Sequence, residues 1–244
     1  MLENWASEFA RRKTETASAL YEGKCGGSYT DAVLVLSSAL NGIASEVWPG
    51  SGIDRKRFVE ALVTFCKSNP YPSMISLPLL VDRLESVGAK ADASLLKNEF
   101  VAFDGARILT GSDVDRTEGE VLSVCPRVSL KMIRNASYAN LLYTEVRSGF
   151  VHEYQTGDRA DSAPMTSRAS GISYNNWLDL PNRRIVFHFP WLIDCVNSVA
   201  SSLDGVLDKL PLTAPQKWWI DGSPRGLLPD PRPHLTPRVG HAGA

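Results

Sequence analysis

The residues best suited to chemistry lie together in EVRSGFVHEY, residues 145–154. His152 carries a side chain that gains or loses a proton near neutral pH. Arg147 carries a permanent cation whose fork of donors matches a phosphate. On an α-helix, residues five apart are rotated by roughly 140°, so Arg147 and His152 do not share one tight face. Ser148 stands one turn before His152, where its hydroxyl can meet the imidazole. Glu145 faces the same side, two turns back and roughly 10 Å along the axis. Arg147, Val151 and Tyr154 form an adjacent stripe. Gly149 costs a helix interior about 1 kcal/mol relative to Ala, and the close approach of a backbone or ligand is the usual reason for such a residue. With Ser148 it makes a shallow notch for a partner helix or a phosphate backbone. The chemistry open to this set is proton transfer beside a bound phosphate. The plainer reading is a helix whose polar residues face water, and the residues alone leave both open.

Other constellations compete poorly. His188 falls on a strand face opposite Phe187 and Phe189, and His234 and His241 lie near the end of the chain. There is no HxxxH or HExxH pattern and no carboxylate cluster, so no metal is expected. No P-loop, dinucleotide-binding glycine pattern or GxSxG elbow occurs either, and no cofactor is expected. A Ser148–His152 hydrolase lacks any sign of an oxyanion hole. The four cysteines, Cys25, Cys66, Cys125 and Cys195, are widely spaced without a CxxC pair and read as reduced core thiols.

Arg147-Ser-Gly-Phe-Val-His152-Glu-Tyr154 resembles the R-x4-6-H signature of the HEPN (higher eukaryotes and prokaryotes nucleotide-binding) family, in its R-x4-H-x-Y form. The resemblance covers about residues 136–154 and loosely the helices before them. Ser148 stands where family members often have Asn, Asp or His. The resemblance implies a helical bundle with the signature on a late helix, and a metal-independent endoribonuclease related to toxins or phage defence. In that chemistry the RNA 2′-OH attacks the adjacent phosphate, with Arg147 and His152 as catalytic residues and Glu145, Ser148 and Gly149 in support. It implies a homodimer whose two copies converge on one cleft, with RNA as substrate. It also implies an antitoxin or nucleotidyltransferase partner, for which Tyr154 is the modification site. The alternative within the same resemblance is a module that binds nucleotide, RNA or a partner protein without cutting. An exposed Trp218–Trp219 pair would favour such a partner surface.

The elements that must carry these residues are mostly helical. Glu3 to about Tyr21 reads as an amphipathic helix, and the next apolar run, capped by Thr30 or Asp31 and ended by Pro49-Gly50, as a central buried helix. Asp54 can cap a third helix, whose Arg55, Lys56 and Arg57 read as a solvated face or a phosphate-facing patch. Ser76, Pro78 and Gly88 bracket a fourth. Leu95 to Phe103 can be helical, ARILTG a short strand, and Asp115 to Ser123 a short helix. Residues 129–154 read as helix with a break near Asn135. Period-two alternation then predicts a β-hairpin at about 172–189, and helical spacing resumes at Pro190. The expected fold is mainly α: a HEPN-like bundle with one small β-hairpin, a single domain over 1–212, and a Pro-rich irregular tail over 213–244.

Composition sets the outer bounds. The 244 residues are 43% hydrophobic and 22% charged with a net charge of −1, which fits a globular domain and excludes a global basic field for nucleic acid. Any RNA contact must come from a local patch. No secretory leader and no membrane span is expected, and the expected location is the cytoplasm.

Overall fold

A computed structural model describes residues 4–100, 108–153, 155–162, 171–176 and 182–223. The chain is mainly helical with one small antiparallel sheet. Helices α1 (Trp5–Tyr21), α2 (Tyr29–Val47), α3 (Asp54–Phe65) and α11 (Phe189–Asp204) pack on one another. Between them in sequence come α4 (Leu77–Ser86), α5 (Lys90–Phe100), α6 (Gly111–Val114), α7 (Glu118–Val124) and α8 (Leu130–Asn135). Then α9 (Tyr138–Leu141) runs through a π-helical stretch, Leu142–Arg147, into α10 (Ser148–Glu153).

The helix α2 is central, as its apolar circumference predicts: Val33, Leu36, Leu40, Ile43 and Val47 are all buried. Each such side chain contributes about 1.5–3 kcal/mol when fully removed from water. Its cap lies slightly earlier than expected, a capping box in which Ser28 Oγ accepts from the Asp31 amide and Asp31 accepts from the Ser28 amide. The start of α1 has no side-chain cap of its own. Asp204 at the end of α11 supplies one, accepting from the amides of Ala6 and Ser7, both at 3.1 Å. A carboxylate there also complements the helix dipole.

A second, smaller core lies between α4, α5, α7 and α8, around Leu80, Leu84, Leu96, Val121 and Ile133. The bracket on α4 is as expected. Ser76 Oγ accepts from the Leu79 amide, Pro78 sits in the first turn, and Gly88 takes φ +82° after the end.

The hairpin forms, but as part of a three-stranded sheet. Strand β1 (Ile108–Thr110) pairs antiparallel with β2 (Ile172–Asn175), which pairs antiparallel with β3 (Arg184–Phe187). Leu109 faces Tyr174, and Tyr174 faces Ile185. All four residues of β2 are buried, as befits the central strand. His188 is buried at the start of α11, where Nε2 meets Ser173 Oγ at 2.9 Å, and burial lowers its pKa.

The end of the domain needs a correction. Residues 213–223 do not leave as a tail: Trp218, Trp219 and Ile220 belong to the main core. Trp218 meets Trp48 edge-on at 5.6 Å, the Trp219 amide donates to Glu60 at 2.8 Å, and Lys56 pairs with Asp221 at 2.8 Å. Arg134, itself 1% exposed, holds this segment from behind. Its guanidinium grips Glu118 through Nε and Nη2, and Nη1 donates to the Trp219 and Ser223 carbonyls, both at 2.6 Å. The Trp pair is therefore no exposed partner surface. The rest of the expected tail, residues 224–244, lies outside the described residues.

Candidate active site around Arg147 and His152

The break near Asn135 decides where the signature helix points. Ser137 caps a fresh start, accepting from the Asn140 amide at 3.3 Å. The segment 72–76 wedges in beside the break, with the Tyr138 amide donating to Met74 O and the Ser76 amide donating to Ala136 O. From Leu142 the helix widens into π geometry and returns to α at Ser148. Such widenings are rare and often accompany functional sites. Here Arg147 closes the π stretch and His152 lies in the α turn that comes after it.

Arg147 is half-buried and held by Tyr143, four residues earlier. Its guanidinium lies 5.2 Å from the Tyr143 ring centroid, and Nη1 reaches the phenol oxygen only at 3.5 Å, the outer limit for a hydrogen bond. Its Nε is buried without a hydrogen-bond partner. Tyr143 is braced in turn by Phe58 of α3, edge-on at 5.3 Å. Sequence reasoning missed Tyr143, although an aromatic four residues before the arginine was a visible signal.

His152 is exposed, and Val151 beside it is 43% exposed. Ser148 does not meet His152: among the described residues no hydrogen bond joins them, and none reaches the imidazole. Tyr154 lies outside the described residues.

Gly149 does permit a close approach, but its own chain uses it. A Cβ there would fall on the Gln155 carbonyl oxygen and lie 3.1 Å from the Gly157 nitrogen. Gly157 is matched to it: its amide donates to Glu145 O at 2.6 Å, and a Cβ on it would lie 3.2 Å from Glu145 Cα. The notch expected to receive a partner helix or a phosphate is filled by the loop 155–157. Glu145 is turned to this loop and lines a cavity that His152 does not border. Geometry thus keeps Arg147 and His152 on one short helix and moves Glu145 and Gly149 into the helix–loop contact.

The triple Arg55-Lys56-Arg57 is neither a solvated face nor a phosphate patch. Arg55 donates to Asn140 Oδ1 at 2.8 Å and Asn135 Oδ1 at 2.7 Å. Lys56 pairs with Asp221, and Arg57 is buried against Asp54 and the carbonyls of Trp48 and Gly50. Sequence reasoning also missed a buried carboxyl elsewhere. Asp115 accepts from Tyr138, from Tyr174 at 2.5 Å and from the Leu77 amide at 3.0 Å, and burial pushes its pKa up to about 7. It ties the sheet to α4 and to the helical break. Among the described residues there is no group of three or more His, Cys, Asp and Glu able to hold a metal ion, and no helix is long and apolar enough to cross a membrane.

Comparison with known proteins returns no match: no family profile, no curated protein and no solved structure aligns significantly with this chain.

Proposed function

We propose that the protein is a metal-independent endoribonuclease of HEPN type, related to toxin–antitoxin or phage-defence enzymes and acting as a homodimer. The observation that carries this reading is Arg147: a half-buried cation over an aromatic ring, with one donor nitrogen buried and unpaired, near an exposed histidine on the same short helix. A buried donor without a partner has a cost that a phosphate oxygen would remove. In the reaction, the RNA 2′-oxygen forms a bond to the adjacent phosphorus while the bond to the 5′-oxygen breaks. One histidine takes the 2′-hydroxyl proton, the other returns a proton to the leaving oxygen, and Arg147 carries the charge that gathers on the phosphoryl oxygens. Two copies supply the two histidines.

The roughly 140° offset between Arg147 and His152 supports the dimer, and so does Val151, an exposed apolar side chain on the Arg147 stripe. Gly149 does not, because the loop 155–157 occupies its notch. Tyr154 remains the residue at which a nucleotidyltransferase partner would place a charged group, repelling RNA. A cytoplasmic setting suits the four unpaired cysteines.

Mixing tests the composite site. Wild-type protein is mixed with His152→Ala protein, allowed to exchange subunits, and offered single-stranded RNA. Cleavage that falls as the square of the wild-type fraction supports a cleft that needs a histidine from each copy; a fall in simple proportion to that fraction contradicts it.

A second reading has its own observation. Nothing among the described residues orients the His152 imidazole, which suits a module that binds RNA, nucleotide or a partner protein without cutting. Binding of RNA that is unchanged in His152→Ala, without cleavage by the wild type, would support that reading.

A further inference from the structure

Beside the signature helix lies a cavity of about 240 Å³, walled by α4, the break before α9, the π stretch and the loop after α10. Arg83, Asn135, Asn140, Thr144, Glu145 and Arg159 supply its polar lining. Neither Arg147 nor His152 borders it, so a ligand held there is independent of the ribonuclease reading.

The polar inventory of this cavity is unbalanced. Asn140 is fully engaged: Oδ1 accepts from Arg55 and Nδ2 donates to Asn135 O at 2.7 Å. Asn135 Oδ1 also accepts from Arg55, which fixes its amide and leaves Nδ2 toward no partner among the described residues. The guanidinium groups of Arg83 and Arg159 make no hydrogen bond or ion pair among the described residues. Asp82, whose carboxyl burial pushes up to about 6, acts on Arg159 electrostatically without pairing to it. Glu145 receives one long contact, from Thr144 Oγ1 at 3.4 Å. Two solvent-exposed cations and one amide, with donors not bonded to any described residue, therefore line the cavity together with a carboxylate.

The loop that carries Arg159 is fixed before any ligand arrives. The Ile185 amide of β3 donates to Arg159 O at 2.8 Å, the Asp161 amide donates back to Ile185 O, and the Gly157 amide donates to Glu145 O. With the backbone fixed, only the side chain remains to be ordered on binding.

We infer that this cavity binds a phosphomonoester carried on a hydroxylated ring, of which ribose 5-phosphate is the simplest form. Arg83, Arg159 and Asn135 Nδ2 receive the phosphate, and Glu145 accepts from ring hydroxyls. The volume is below the roughly 300–1,000 Å³ of drug-sized pockets, which fits a sugar phosphate and excludes a whole dinucleotide. The same group occurs free or at the 5′ end of an RNA strand.

Calorimetric titration of the full chain distinguishes these sources. Ribose 5-phosphate, 2-deoxyribose 5-phosphate, inorganic phosphate, and one RNA oligonucleotide with either a 5′-phosphate or a 5′-hydroxyl are the probes. Saturable binding of ribose 5-phosphate is expected, weakened about tenfold or more in Arg83→Ala and in Arg159→Ala, since each removes a charge-assisted contact. Glu145→Gln should weaken the sugar phosphate but not inorganic phosphate. In His152→Ala protein, where the RNA stays intact, preference for the 5′-phosphorylated over the 5′-hydroxyl oligonucleotide that is lost with Arg83→Ala assigns the site to RNA ends, and equal binding of the two assigns it to a free metabolite. Both Arg83 and Arg159 are exposed, so their variants should fold, which circular dichroism checks. No saturable binding of any phosphorylated probe at millimolar concentration, or binding indifferent to Arg83→Ala and Arg159→Ala in folded protein, overturns the inference.

Discussion

The guanidinium of Arg147 lies 5.2 Å from the centroid of the Tyr143 ring, and that ring leans on Phe58 in the core. The position of the arginine is thus set by packing rather than by an ion pair. Replacing Tyr143 by Leu keeps an apolar side chain and removes the π face, worth about 0.5–2 kcal/mol to the cation. At about 1.4 kcal/mol per factor of ten, RNA cleavage should fall roughly 2–30-fold at subsaturating substrate, while the thermal midpoint changes little. Tyr143→Phe keeps the face and should retain most activity. Equal losses in both variants would contradict the packing account.

Two helical glycines should respond to alanine in opposite directions. Gly119 in α7 has open space around a built Cβ, so Gly119→Ala should stabilise by about 0.5–1 kcal/mol through helix propensity. Gly149→Ala carries the same propensity gain but drives a methyl into the Gln155 carbonyl. It should destabilise by about 1–3 kcal/mol, as overpacking does. Urea unfolding of the two single variants reads both signs.

Arg134 should be the most sensitive cation in the chain. Its loss in Arg134→Ala leaves the Glu118 carboxylate and two carbonyls without their donor, a defect of about 3–5 kcal/mol for a buried pair broken on one side. Arg134→Lys should rescue little, because an ammonium cannot reproduce the fork. Tryptophan fluorescence would shift as the segment holding Trp218 and Trp219 is released, and the urea midpoint would fall.

Asp115 links stability to pH with a definite sign. Its folded pKa, about 7, stands above the ordinary 3.8 because burial disfavours the carboxylate. Between those values the native state holds a proton that the unfolded chain has lost. The stability from this group is therefore fully present below about pH 4 and lost as pH rises through 7, an effect of up to about 4 kcal/mol. Asp82, also raised, acts in the same direction to about pH 6. Asp115→Asn should flatten the decline in urea midpoint between pH 5 and 8, and an unchanged slope would refute the assignment.

What could be read from the residues was what depends on neighbours in sequence. The buried circumference of α2, the Ser76-Pro78-Gly88 bracket and the break at Asn135 each rest on local periodicity or caps, and each is found in the structure. The strand β1 was visible as a short apolar run but not as a partner of β2, some 60 residues later, because three residues carry no register information. The burial of Trp218 and Trp219 depends on Arg134 and Glu60, far away in the chain. Arg55, Lys56 and Arg57 looked free because their partners, among them Asn135, Asn140 and Asp221, lie elsewhere in the sequence. At the candidate site, helix propensity revealed that Gly149 needed a neighbour. Only the fold revealed that the neighbour is the loop 155–157.

Cleavage of single-stranded RNA in the presence of EDTA tests the central claim most directly, with wild-type, Arg147→Ala and His152→Ala proteins compared side by side. The account predicts that the wild type cuts despite chelation, leaving 2′,3′-cyclic phosphate ends, and that each substitution slows cutting by about a hundredfold or more. RNA left intact by the wild type, or cut equally well by His152→Ala, would contradict it.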